Sequence, residues 1–232
     1  MNIIEESVKI APSKHINFSR KIIKLKNIFN NVLKRTVDIV AGLVGIIILI
    51  PLCIIVFIVN LIKKENGPMF FVQERIGKNG KLFKMYKFRS MVENAEEILQ
   101  ECINSSEETR EEYQKYKKLK DDPRVTKMGK ILRKTSLDEF PQFINILKGD
   151  MSLVGPRPYL PREKEEMGRY YEYVIKCKPG LTGLWQVAGR TNVNFRTRLR
   201  LDYKYYREKN FIYDIKILLN TFVITFTGKG AM

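Results

Sequence analysis

The sequence predicts an α+β fold, mainly helical, in which a membrane anchor precedes one small domain. Three observations carry this: the apolar run Ile39 to Val59, the strand-like pair of segments between Met69 and Phe88, and the helical spacing of most of the chain beyond Phe88. With 232 residues and 44% hydrophobic content, there is room for one core beyond the anchor and little for a second.

Residues 1–31 are polar and basic without a core pattern, and are expected to form a variable basic arm or surface helix. Residues 32–64 form the anchor. Roughly 20 apolar residues suffice to cross a bilayer core of about 30 Å. Pro51 stands near the centre of the run; it has no N–H for the carbonyl of Ile47 and its ring crowds that carbonyl, so a bend is expected there. Lys34 and Arg35 precede the run and Lys63 and Lys64 come after it, so a simple crossing places one basic flank on the disfavoured side. Two topologies stand open from these residues alone: a kinked transmembrane helix, and a re-entrant helix-break-helix that returns to its entry side. The second must find partners for backbone freed at depth, and Ile50 and Leu52 offer none.

Residues 65–232 hold the remaining elements. Met69 to Ile76 and Leu82 to Phe88, joined by Gly77-Lys78-Asn79-Gly80, predict a β-hairpin. Ser90 to Lys120 is densely charged, as in solvated helices with charge pairing, and Asp121-Asp122-Pro123 breaks it. Thr126 to Lys134 and Leu137 to Leu147 are expected to be helical, with Phe140, Phe143, Ile144 and Leu147 as an apolar stripe. Gly149 to Pro161 is expected as a proline-stiffened loop and Arg162 to Val174 as a helix. Pro179 to Arg190 reads as loop and short strand, where Gly180, Gly183 and Gly189 let backbone approach a ligand. A last helix carries Ile212, Ile215, Leu218, Leu219, Phe222, Val223 and Phe226 on one face, which suits either a core helix or an amphipathic interfacial one.

Composition narrows the chemistry. A net charge of +17 attracts polyanions, and beside a membrane segment anionic lipid and phosphorylated small molecules are favoured over nucleic acid. Three scattered cysteines do not make a disulfide framework, and one histidine, His15, leaves no material for a histidine triad or zinc site. Acid, base and nucleophile are therefore sought among carboxylates.

Arg133-Lys134-Thr135-Ser136-Leu137-Asp138-Glu139 concentrates cations, hydroxyls and two adjacent carboxylates, a mixture suited to phosphate chemistry. The plainer alternative is a helix start, with Ser136 as cap and the carboxylates complementing the helix dipole. That alternative describes a membrane-tethered basic binding module without catalysis. Lys84, Lys87 and Arg89 after the hairpin, Arg157 between Pro156 and Pro158, and Arg190 add fixed cations. No P-loop, dinucleotide fingerprint or protein-kinase signature is present.

At these residues the chain resembles the bacterial sugar transferases, the monotopic polyprenyl-phosphate phosphoglycosyl transferases. The resemblance runs from about Val32 to the C-terminus through Lys34-Arg35, Gln73-Glu74-Arg75-Ile76-Gly77, Lys87-Phe88-Arg89-Ser90-Met91, Asp122-Pro123-Arg124-Val125-Thr126, Leu132 to Gln142, Lys148 to Pro158 and Lys178 to Val187. It implies a re-entrant anchor, a small catalytic domain at the cytoplasmic face of the bacterial inner membrane, and transfer of a sugar 1-phosphate from a UDP-sugar to undecaprenyl phosphate with release of UMP. It further implies that Asp138 is the nucleophile and binds Mg²⁺, that Glu139 acts as acid/base, and that Lys87, Arg133 and Arg157, with Arg89 and Asp202, surround the phosphates. A homodimer is left open. Two departures stand out: Ile50 replaces a serine that many relatives carry before the proline, and a short polar arm replaces the several transmembrane helices of larger relatives. Leu184-Trp185-Gln186-Val187-Ala188-Gly189-Arg190 is nonetheless similar to those larger members, which initiate exopolysaccharide, capsule or O-antigen assembly.

Overall fold

Helix α1, Lys14–Lys63, is one helical element of 50 residues with Pro51 inside it. The computed structural model describes residues 14–63, 67–189 and 193–227; Lys64, Arg190 and residues 1–13 of the arm lie outside the described residues. A break was expected at Pro51, and helical structure instead continues through it, because a proline deletes one donor without ending a helix whose other bonds persist. Its stretch Ile28–Ile62 is long and apolar enough to cross a membrane.

How α1 meets the rest of the chain is the main architectural fact. Lys34 donates to Asp214 Oδ2 at 2.5 Å and to the Val154 carbonyl at 2.8 Å, and Arg35 donates to the carbonyls of Ile146 and Leu147 at 2.7 and 2.8 Å. The second pair caps a helix C-terminus with a cation, where its orphan carbonyls need donors. Asp38, 3% exposed, accepts from Ser152 Oγ and from Leu153 N at 3.0 and 2.8 Å. One turn later, glycines permit close packing: a Cβ at Gly42 would stand 2.6 Å from Leu147 Cδ2, and one at Gly45 2.2 Å from the Phe143 ring. Leu49, before Pro51, and Val56, after it, are buried in one cluster with Phe88 and Leu132. Both halves of the apolar run therefore lie on the same domain, while Val44, Ile47, Ile48, Ile54, Ile55 and Ile58 face outward.

Strands β1, Phe70–Ile76, and β2, Leu82–Phe88, form the expected antiparallel hairpin, with Phe70 opposite Phe88 and Ile76 opposite Leu82. Asn79 turns the chain at φ 59°. The charged region becomes α2, Ala95–Ser105, and α3, Glu107–Tyr116. Its outward ties reach the turns beyond residue 160: Arg162 to Glu96 at 2.9 Å and Lys117 to Glu166 at 2.7 Å. Helix α4, Lys127–Lys134, starts at Thr126, whose hydroxyl accepts from Gly129 N at 2.9 Å.

Two expectations shorten on folding. The helix foreseen from Leu137 becomes a 3-10 turn, Leu137–Glu139, followed by α5, Gln142–Lys148. The helix foreseen over Arg162 to Val174 becomes short turns, among them α6, Lys164–Met167, and α7, Tyr171–Val174, separated at Gly168, whose φ is 50°. One strand emerges where loop was expected, and it pairs with the short strand foreseen within Pro179 to Arg190. Strand β3, Ser152–Val154, pairs in parallel with β4, Gly180–Thr182. The glycines expected to admit a ligand admit backbone instead: a Cβ at Gly180 would lie 2.1 Å from Gly155 N, and one at Gly183 2.3 Å from the Gly155 carbonyl oxygen. Helices α8, Leu184–Gly189, α9, Phe195–Glu208, and α10, Phe211–Thr227, complete the chain. One core cluster joins Met85, Ile146, Met151, Val154, Tyr205 and Ile217, so hairpin, α5, β3, α9 and α10 share a centre.

Candidate active site

Asp138 and Glu139 stand on the 3-10 turn between α4 and α5. Ser136 enters the turn at φ 59°, a conformation uncommon outside glycine, and its side chain makes no capping bond. The capping explanation for these carboxylates thus loses its cap, and α5 begins only after Pro141. Backbone held in a sparsely populated region beside charged groups is a mark of functional sites.

The surroundings are built by the motifs. Asn145, fully buried in α5, donates to the Lys84 carbonyl at 2.7 Å and accepts from Tyr86 N at 3.1 Å, fixing the end of β2 against the turn. Lys87, two residues from Met85 on the other side of Tyr86, then reaches Glu139 at 2.7 Å. Asp122 takes Arg124 in a two-point bond at 2.7 and 2.6 Å, and Thr126 N bonds the Ser90 carbonyl at 3.1 Å. Gly129 lies so close that a Cβ would stand 2.0 Å from that carbonyl oxygen. This brings α4 onto the chain after β2, where Arg133 Nε donates to Ser90 Oγ at 2.9 Å. Arg75 of the hairpin donates to the Pro158 carbonyl at 2.8 Å and so holds the loop that carries Arg157.

The electrostatics divide the two carboxylates. Burial pushes the Asp138 carboxyl up to about 6, the Glu139 charge adds to it, and Lys87 and Arg133 pull the other way. Burial also pushes Glu139 up, but the Lys87 ammonium outweighs it, with Arg157 assisting, and holds Glu139 below the ordinary glutamate range. Adjacent carboxylates driven apart by their environments fit different tasks.

Lys87, Arg133 and Arg157 all act electrostatically on this pair. Arg89 is turned to Glu93 at 3.0 Å. Asp202 departs from expectation. It is fully buried and accepts from Tyr159 OH at 2.7 Å and from Arg157 N at 3.2 Å, so it positions the Arg157 loop instead of presenting itself to a ligand. Burial pushes its carboxyl up to about 7 against these bonds and the charges of Arg198 and Arg157. Sequence reasoning missed Arg198 and Trp185: both Arg157 and Arg198 lie over the Trp185 ring, at 5.6 and 4.8 Å from its centroid. The spacing Phe195, Arg198, Leu199, Asp202, Tyr205 is the buried face of α9, and its two charges hid the helical period.

Among the described residues no group of three or more His, Cys, Asp or Glu side chains could enclose a metal. Mg²⁺ is usually held by one or two carboxylates together with substrate phosphates. Asp138, a buried carboxylate with its proton affinity raised, fits one such ligand.

A cavity of about 250 Å³ opens beside the turn, lined by Ser136, Glu139, Phe140, Phe143 and residues of β4, α8 and α10.

Comparison with known proteins matches residues 29–228 to the bacterial sugar transferase family model. The chain is 45% identical over 199 residues to the undecaprenyl-phosphate galactose phosphotransferase of Salmonella typhimurium, covering 86% of this chain and 41% of that protein. It is 39% identical over 213 residues to the UDP-glucose:undecaprenyl-phosphate glucose-1-phosphate transferase of Escherichia coli, covering 87% of this chain and 42% of that one. With the exopolysaccharide production protein ExoY of Sinorhizobium fredii it shares 41% identity over 199 residues, 85% of this chain and 87% of the relative. The chain thus spans less than half the length of the first two relatives and most of the third. On the extent of the family match and these identities, this chain belongs to the bacterial sugar transferase family.

Proposed function

We propose that the protein transfers a sugar 1-phosphate from a UDP-sugar to undecaprenyl phosphate, releasing UMP, as the first membrane step of exopolysaccharide, capsule or O-antigen synthesis. The observation that carries this reading is the pairing of Asp138 and Glu139 on one constrained turn, ringed by Lys87, Arg133 and Arg157. Two of the matched relatives are named as an undecaprenyl-phosphate galactose phosphotransferase and a UDP-glucose:undecaprenyl-phosphate glucose-1-phosphate transferase.

In this reading an Asp138 carboxylate oxygen attacks the phosphorus that bears the sugar. The bond from that phosphorus to the oxygen bridging the two phosphates breaks, its electron pair leaves on UMP, and an acyl phosphate forms on Asp138. An oxygen of the acceptor phosphate then attacks the same phosphorus, and the Asp138 carboxylate departs. Burial suits Asp138 to this task, since a desolvated carboxylate of raised basicity is a stronger nucleophile yet is still mostly ionised at neutral pH. Glu139, kept ionised by Lys87, takes the remaining proton of the acceptor phosphate. Lys87, Arg133 and Arg157 offset charge on the transferring group. Mg²⁺, when bound by Asp138 and the diphosphate, supplies Lewis-acid neutralisation. Domain boundaries fall into a basic arm over 1–31, a re-entrant anchor over 32–64 and a catalytic domain over 65–232 at the cytoplasmic face of the inner membrane. The burial of Leu49 and Val56 in one cluster supports the re-entrant path: a helix that docks on the domain on both sides of Pro51 has no free span with which to leave it.

The test is UMP release from purified protein with Mg²⁺, undecaprenyl phosphate and a panel of UDP-sugars carrying galactose, glucose or N-acetylated sugars. One donor should give UMP, and Asp138→Asn should lower the rate by about a thousandfold or more. Full activity in Asp138→Asn would remove Asp138 from the role.

A further inference from the structure

The cavity beside the 3-10 turn is apolar where a nucleotide site should be polar. Phe140, Phe143, Leu153, Leu181, Val187 and Leu218 supply most of its wall, and among the described residues Glu139 is the one charged side chain that lines it. The polar groups of Thr182, Thr221 and Gln186 in its wall are already engaged with the protein. Thr182 and Thr221 share a hydrogen bond of 2.8 Å, the Thr221 hydroxyl donates to the Ile217 carbonyl at 2.8 Å, and Gln186 Nε2 donates to the Leu181 carbonyl at 3.0 Å. A uracil, ribose or hexose would find few partners there, whereas hydrocarbon needs none.

The cavity also adjoins exposed apolar surfaces. Phe143 packs on Gly45 of α1, whose neighbours Val44, Ile47 and Ile48 are exposed. Leu218 belongs to α10, whose Ile212, Leu219, Phe222 and Val223 are exposed. A chain leaving the cavity along either helix meets apolar surface.

We infer that this cavity receives the phosphate-proximal isoprene units of the lipid acceptor, so that its phosphate is delivered to Glu139 and Asp138 while the rest of the chain remains in the bilayer. This rests on the transferase reading and adds to it the place of the acceptor. It assigns Phe143, Leu181, Val187 and Leu218 as determinants of acceptor chain, and leaves the donor to the cationic side formed by Lys87, Arg133 and Arg157.

The experiment is photolabelling of the full-length protein in detergent with a benzophenone-bearing prenyl phosphate, read by peptide mass spectrometry alongside UMP kinetics. Label should map to cavity residues, be displaced by excess prenyl phosphate and not by UDP-sugar, and fall tenfold or more in Leu218→Trp and Val187→Trp. In the same variants the acceptor KM should rise about tenfold or more while the donor KM stays within about twofold, the scale expected for steric loss of an apolar subsite. Two separate filling variants guard against one that fails to fold. Label elsewhere, or undiminished label in both tryptophan variants, would overturn the assignment even if UMP is released. Correct labelling with no UMP from any donor would uphold the cavity and overturn the transferase reading.

Discussion

At the scale of single residues, the site is a contest between burial and charge. Burial lifts Asp138 to about 6, and Lys87 and Arg133 limit that rise. A carboxyl is protonated, and useless as a nucleophile, below its folded pKa; the donor half-reaction should therefore lose rate as pH falls through about 6, not through the ordinary value of about 4. Lys87→Met removes a downward pull, so its acid limb should move to higher pH, and its rate at neutral pH should drop by about 10²–10³. Single-turnover UMP release across pH measures both effects, and an acid limb that stays in place in Lys87→Met would contradict the electrostatic account. That Asp138, Glu139, Lys87, Arg133 and Arg157 come together was legible because each sits in a dense local motif. Asp202 was misread as a substrate ligand because nothing in its neighbours shows that Tyr159 and the Arg157 backbone, more than forty positions away, claim it. Arg198 was missed for a related reason: a charged residue on a buried helical face looks, in sequence, like a solvated one.

At the scale of elements, the hairpin and α4 were legible, whereas the helices expected over Leu137 to Leu147 and Arg162 to Val174 divide into shorter pieces. The hairpin and α4 fall where strand-like segments, turn residues and helical spacing place them. Strands β3 and β4 have three residues each, too few for any period to show, and their parallel pairing depends on a connection that runs through α6 and α7. The apolar run was legible as a helix long and apolar enough to cross a membrane, yet its docking was not, since Asp38 and the two glycines acquire meaning only against Leu153, Leu147 and Phe143. A direct consequence concerns Gly45. Gly45→Val must drive its side chain into the Phe143 ring, and overpacking of this kind costs about 1–3 kcal/mol. We predict a melting temperature lowered by several degrees in detergent, with a matching loss of UMP release. An unchanged melting curve would show that α1 does not rest on α5.

At the scale of the whole molecule, α1 and α10 present exposed apolar faces on a strongly basic protein, and both pack on the domain that carries the carboxylates. In the proposed reading, membrane association, an apolar cavity and a cationic phosphate site are three sides of one arrangement, in which a lipid phosphate that cannot leave the interface meets a water-soluble donor. The re-entrant path predicts that tags at the two termini react from the cytoplasmic side alone in intact cells; labelling of one terminus from outside would restore the crossing helix. The central claim, that Asp138 carries the phosphosugar between donor and acceptor, is tested most directly by mixing the protein with Mg²⁺ and each UDP-sugar in the absence of any lipid acceptor. The account predicts a burst of UMP no larger than one per protein and a mass gain of one phosphosugar on the peptide containing Asp138. UMP that forms only after acceptor is added, from a protein whose Asp138 peptide keeps its original mass throughout, would contradict it.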